Sequence, residues 1–225
     1  MKFVLFDIDG TLLDSGGAGV RSLNRAFEDM FSIQNAFSMI GFAGKTDLQI
    51  IREGLEAHGI QYHNGVVPAF FEAYVKHLRA TIDSRKGHVK RGIREALDIL
   101  RYREDCILGL LTGNVEQGAN IKLETFGLSR YFDVGAFGSD DEDRNKLLPV
   151  AVGKLEKRRL VKVDFSDCVV IGDTPRDIEC AKPYGARAIA VATGPYSVSE
   201  LSDAGADVVF EDLSDTQGFF SALDR

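Results

Sequence analysis

Phe3-Val4-Leu5-Phe6-Asp7-Ile8-Asp9-Gly10-Thr11-Leu12-Leu13 opens the chain, and its reading decides the fold. An apolar run ends in two carboxylates of the same side-chain parity, followed by Gly and Thr. That is the pattern of a buried strand running straight into a turn. Burying one ionised carboxylate is costly, and burying two requires a cation. Read alone, Asp7 and Asp9 would be solvated groups at the end of a surface strand, so the decision passes to the partners that the rest of the chain supplies.

Working outward, Asp14-Ser15-Gly16-Gly17-Ala18-Gly19 reads as a flexible hinge because of its three glycines. Val20, Leu23, Ala26, Phe27 and Met30 then recur at helical spacing. So do Leu48, Ile51, Leu55 and Ala57, and the stripe Phe70, Phe71, Tyr74, Val75 and Leu78 predicts a third helix over Val66 to Leu78. No convincing strand interrupts them, which predicts a helical module over 14–86, its aromatic stripes forming its own core.

Beyond Lys86 helices alternate with short apolar runs: Cys106 to Leu111, Val134 to Gly138, Cys168 to Gly172, Ala186 to Ala192 and Asp207 to Phe210. The alternation, with near-continuous apolar strands, predicts an α/β fold built on a parallel sheet covered on both faces. In such sheets ligands bind outside the carboxyl ends of the strands. Those ends carry Asp7 and Asp9, then Thr112-Gly113-Asn114, then Gly138 to Asp141, then Gly172-Asp173-Thr174-Pro175-Arg176-Asp177.

Converging carboxylates repel one another unless a positive charge lies between them, and hard oxygen ligands suit Mg²⁺, with Asp7 and Asp173 as the expected ligands. Such a cation would let a carboxylate approach a phosphate. Thr112, Gly113 and Asn114, at a strand-to-helix junction, offer a hydroxyl and backbone N–H groups to an anion. A side-chain cation is expected as well, to hold charge that develops during transfer. Arg144 and Lys146, just before a helix, are the two candidates.

The composition narrows the alternatives. With 27 Lys+Arg against 34 Asp+Glu the net charge is −7, which argues against nucleic acid or an anionic membrane as partner. Cys106, Cys168 and Cys180 lack C-x-x-C spacing and read as core thiols of a reducing compartment. Asp7 and Asp9 interrupt any signal-peptide pattern, and no run is long enough for a membrane span, so a cytoplasmic location is expected. The serines lack a G-x-S-x-G setting, and Gly16 to Gly19 does not match a dinucleotide fingerprint.

With these residues in place, the chain resembles the haloacid dehalogenase-like (HAD) hydrolase superfamily, in its phosphoglycolate-phosphatase-like branch. The four motifs run in order as Asp7-Ile8-Asp9-Gly10-Thr11, then Leu111-Thr112-Gly113-Asn114, then a basic residue before a helix, then Gly172 to Asp177. The resemblance implies a Rossmann-like parallel-sheet core (1–13 and 87–225) with an inserted helical C1 cap (14–86). It also implies a two-step phosphoryl transfer in which Asp7 attacks phosphorus and Asp9 protonates the leaving alkoxide, then deprotonates water. Mg²⁺ would be held by Asp7, the main-chain carbonyl of Asp9 and Asp173, with Asp177 orienting the metal shell. Thr112 and neighbouring N–H groups would bind phosphoryl oxygens. The third motif is usually Lys in this family. Here it reads Asp143-Arg144-Asn145-Lys146, and Arg144 is preferred because Arg is a permitted substitute that offers a fork to two oxygens. In the loop Gly41 to Asp47, which resembles the specificity loop of C1 caps, Lys45 would reach a substrate anion. The implied activity is a Mg²⁺-dependent phosphatase on a small phosphorylated metabolite, acting as monomer or homodimer. A sugar-phosphate mutase and a non-catalytic phosphate-binding protein are the alternatives.

Overall fold

The structure is a computed structural model describing residues 1–63 and 65–225. Strand β1 (Lys2–Phe6) is followed by β2 (Leu13–Asp14) and by helices α1 (Ala18–Phe31), α2 (Asp47–Ala57) and α3 (Val66–Thr81). The chain continues through β3 (His88–Val89), α4 (Ile93–Leu100), β4 (Cys106–Thr112), α5 (Glu116–Thr125), β5 (Gly135–Phe137) and α6 (Leu147–Arg159). It ends with β6 (Cys168–Gly172), α7 (Pro175–Ala181), β7 (Arg187–Val191), α8 (Val198–Asp203), β8 (Val208–Phe210) and α9 (Thr216–Leu223).

Six strands form one sheet in the order β5-β4-β1-β6-β7-β8, every pair parallel. The period-2 alternation of β1 sends Val4 and Phe6 to one face, against Leu97 and Leu123, and Phe3 and Leu5 to the other, against Leu148 and Ile178. Both faces are buried, which is why the strands read as unbroken apolar runs. Asp7 therefore emerges at the centre of the sheet. It lies between β4 and β6, where the chain's crossovers diverge to opposite sides.

Helices α1, α2 and α3 share a separate apolar cluster around Phe27, Phe37, Ile51 and Phe70, with Val115 and Ile121 of the α5 region packed into it. The spacing that predicts a helix from Val20 misses two residues: α1 begins at Ala18, so Gly19 belongs to the helix rather than to the hinge. Gly16 and Gly17 make the turn in the left-handed region. The antiparallel ribbon of β2 and β3, with Leu13 opposite Val89 and Asp14 opposite His88, was not anticipated. Its strands are too short for any periodic signal.

Candidate active site

Two adjacent strand ends and the helix that follows the second deliver the acidic centre. Asp7 prolongs β1, its N–H donating to the Ile171 carbonyl at 2.9 Å. Asp173 follows β6, and Asp177 lies in the first turn of α7 behind Pro175. Each of these three buried aspartates offers an oxygen within 4.8 Å of the others. Burial pushes the Asp7 carboxyl up to about 6 against the pull of Arg144, with Asp177 and Asp9 adding to the rise. Burial, then the charges of Asp7 and Asp177, holds Asp173 well above the usual carboxylate range.

Among the described residues one side-chain cation lies against this cluster, beside Asp7 and Asp177. Arg144 stands in a 3-10 turn ahead of α6, and its Nη2 donates to Asp177 Oδ1 at 2.5 Å and lies 3.3 Å from Asp7 Oδ1. Burial opposes its charge, but Asp177 and Asp7 outweigh that and raise its pKa. Its Nε is buried without a partner among the described residues. Lys146 is not brought here: its side chain is 61% exposed, 3.6 Å from Asp141. The physical reason is the 3-10 turn, which carries two residues apart in sequence to different sides of the chain.

The donor set fits a hard divalent cation. Three buried carboxylates against one guanidinium leave an excess of negative charge, and all the ligand atoms are oxygens. Asp177 is the least free of the three, since its Oδ2 accepts from the N–H and Oγ1 of Thr174 at 3.0 and 2.8 Å. Asp173 accepts from Thr11 Oγ1 through Oδ1 at 2.9 Å, which leaves Oδ2. Gly10 turns at φ +86°, and a side chain there would run into the Asp173 carboxylate, so this position combines a left-handed turn with a close approach.

Asp9 has a different setting, with a side chain 44% exposed. Its Oδ2 accepts from Asn114 Nδ2 at 2.7 Å and from Lys122 Nζ at 2.5 Å. Asn114 Nδ2 also donates to Thr112 Oγ1 at 2.9 Å, which joins the end of β4 to the same network. Lys122, on α5, is buried and also donates to Asn114 Oδ1 at 2.6 Å. Sequence reasoning missed Lys122. The signal was its place at helical spacing among Ala119, Leu123 and Phe126, a stripe that buries whatever it contains.

The loop before α2 lies over these strand ends. Asp47 N–H donates to the Gly113 carbonyl at 2.7 Å, and Asp47 Oδ2 accepts from Val115 N–H at 2.8 Å. Thr46 Oγ1 donates to the Glu142 carbonyl at 2.7 Å, and Arg52 makes two 2.6 Å bonds to the Glu142 carboxylate. Between the layers is a cavity of about 450 Å³, lined by Asp7, Asp9 and Asp173 below and Lys45, Asp47 and Tyr74 above. Lys45 thus reaches the cavity wall, with its ammonium 2.5 Å from Glu53.

A family model described as haloacid dehalogenase-like hydrolase matches residues 4–191. The chain belongs to this family. "Probable phosphatase IndB" of Dickeya dadantii is 29% identical over 98% of this chain and 94% of its own length. A phosphoglycolate phosphatase of Pseudomonas savastanoi pv. phaseolicola is 26% identical over 94% and 77%. The crystal structure of a hydrolase from Pseudomonas syringae superposes with a TM-score of 0.71 at 21% identity, covering 99% of this chain and 98% of that one. The family membership agrees with the resemblance carried by the four motifs. In this haloacid dehalogenase-like chain the matched segment includes the ends of β1, β4 and β6, the three that carry the acids and Thr112.

Proposed function

We propose that the chain is a Mg²⁺-dependent phosphatase that hydrolyses a small phosphomonoester through an aspartyl-phosphate on Asp7. The carrying observation is the division of labour between the two aspartates of the first motif. Asp7 is buried against Asp173, Asp177 and Arg144, while Asp9 faces the cavity at the Asn114–Lys122 side. Asp7 and Asp173, with the Asp9 carbonyl, would hold the metal, and Asp177 would orient the set through Arg144 and Thr174. When bound, Mg²⁺ would neutralise phosphoryl charge beside an anionic nucleophile.

Asp7 attacks phosphorus, and Asp9 gives a proton to the departing alkoxide. It then takes one from the water that opens the acyl phosphate. Thr112, the Gly113 region and Asn114 receive phosphoryl oxygens, and Arg144 holds charge on the side of Asp7 and Asp177. The helical residues 14–86 act as a cap whose closure over the strand ends excludes water, with Lys45 turning from Glu53 to the substrate. The phosphoglycolate phosphatase relatives make phosphoglycolate a first ester to assay. The free cysteines, with Cys168 and Cys180 pushed up to about 12 by burial, suit the reducing cytoplasm. No helix among the described residues is long and apolar enough to cross a membrane.

The test is phosphate release from an aryl phosphate with and without Mg²⁺, beside Asp7→Asn. Metal-dependent release that falls by at least about a thousandfold in the variant is expected. A wild type inert in Mg²⁺, or a fully active Asp7→Asn, refutes the proposal.

A further inference from the structure

We infer that Tyr74, Lys122 and Asp47 form a leaving-group subsite that selects phosphomonoesters of hydroxyl-bearing alcohols, of the polyol or sugar class. The inference rests on the phosphatase reading above and adds the substrate class. An alkoxide that takes its proton from Asp9 lies against Asp9, so the carbon attached to it lies beside Lys122, whose Nζ is 2.5 Å from Asp9 Oδ2. Whatever the alcohol carries on its next carbons is presented to this wall of the cavity.

The wall has three hydrogen-bonding positions to spare. An ammonium has three N–H groups. Lys122 gives one to Asp9 and one to Asn114, and the third has no partner among the described residues. Tyr74, on α3, is 1% exposed and lines the cavity, yet its hydroxyl makes no hydrogen bond among the described residues. The ring is enclosed while the O–H opens on the cavity, where it can meet a ligand. Asp47 commits Oδ2 to Val115, while Oδ1 is left over on the same cavity.

Lys122 Nζ and Tyr74 Oη come together where two glycines clear the space. A Cβ at Gly19 would lie 3.5 Å from Lys122 Nζ and 3.9 Å from Tyr74 Oη, and one at Gly118 would lie 3.4 Å from Tyr74 Oη. Burial, then the charges of Asp47 and Asp9, drives the Tyr74 phenol upward, which keeps it a neutral donor. The charge balance decides the ligand class. While Asp9 carries the proton for the alkoxide, the Lys122 ammonium is balanced by Asp47, so a carboxylate presented to this wall would meet Asp47 with no cation of the wall left to pair, Lys45 standing with Glu53 on another side of the cavity. A hydroxyl can donate to Asp47 Oδ1 and accept from Lys122 or Tyr74. Leu13, Leu23 and Ile50 line the rest of the wall and pack against the alcohol's carbons.

The experiment compares kcat/KM of wild type and Tyr74→Phe, in Mg²⁺, on glycerol phosphate, phosphoglycolate and propyl phosphate. The Phe ring keeps the packing and removes only the hydroxyl. Wild type should favour glycerol phosphate over propyl phosphate by about tenfold or more. Tyr74→Phe should lose about fivefold to tenfold on glycerol phosphate, mainly in KM, and less than about twofold on propyl phosphate. Equal losses on both esters overturn the subsite, as does a wild-type preference for phosphoglycolate. Turnover of an aryl phosphate with none of the three esters overturns the substrate class alone, and inertness towards every ester overturns the phosphatase reading with it.

Discussion

Replacing Arg144 by Met keeps side-chain length and apolar packing and removes the guanidinium that faces Asp7 and Asp177. The side chain is 4% exposed, so solvent cannot take over its role, and the acids on both sides are equally enclosed. Removing one partner of a buried pair leaves an uncompensated charge and costs about 3–5 kcal/mol. In a chain of this size each kcal/mol lowers Tm by about 2–4 °C, so the metal-free variant should melt about 6–20 °C below wild type. Urea titration followed by circular dichroism measures the loss, run in parallel on Lys146→Met. That side chain is 61% exposed and should change stability by no more than about 0.5 kcal/mol. Mg²⁺ should recover part of the Arg144→Met deficit, because a bound ligand stabilises the state it binds. A loss below about 1 kcal/mol, or one no larger than that of Lys146→Met, would refute the assignment of Arg144 as the internal counter-charge.

Two further outcomes follow from other parts of the site. Burial raises Asp47 from 3.8 to about 6, so the folded state holds a proton that the unfolded state has released. The stability this group allows is intact below pH 3.8 and is lost as pH rises through about 6. Asp47→Asn should match wild type in acid and exceed it above that window by up to about 3 kcal/mol, read from urea midpoints. An equal gap at both ends of the range would contradict this. Arg52→Met removes a half-exposed, two-bond contact between α2 and Glu142 worth at most about 1 kcal/mol. The variant should raise KM by up to about fivefold with kcat unchanged, an effect that wild type shows in part at high salt. A fall in kcat of that size instead would place Arg52 in the chemistry.

The sheet was legible because its chemistry repeats. The central strands β1, β4 and β6 are apolar runs that lead into a residue with a polar task, and burial on both faces forces the apolar part of that pattern whatever lies around it. Asp7, Thr112 and Asp173 could therefore be gathered from strand ends alone. The short edge strand β5 lost the outermost residues of the run Val134 to Gly138, since only β4 pairs with it. Arg144 and Lys146 could not be separated by spacing, because a 3-10 turn leaves no long period to read. Lys122 escaped for the opposite reason. Lysines are nearly always solvated, and the carboxylate that makes this burial affordable belongs to Asp9, far away in sequence, with the nearer Asn114 amide beside it. Tyr74 was read as module core, which it is, while the position of its hydroxyl depends on how α3 meets α1 and α5.

The two-stranded ribbon of Leu13–Asp14 with His88–Val89 brings the departure and return of the helical segment side by side. Seen from the sheet, everything between Asp14 and His88 is therefore a graft at a single point, with its loop already closed by the ribbon. The length and sequence of the graft can drift with little entropic consequence for the sheet, because closing a longer loop adds only slowly to the cost. On the proposed phosphatase reading, such a chain can exchange what it recognises without rebuilding how it reacts.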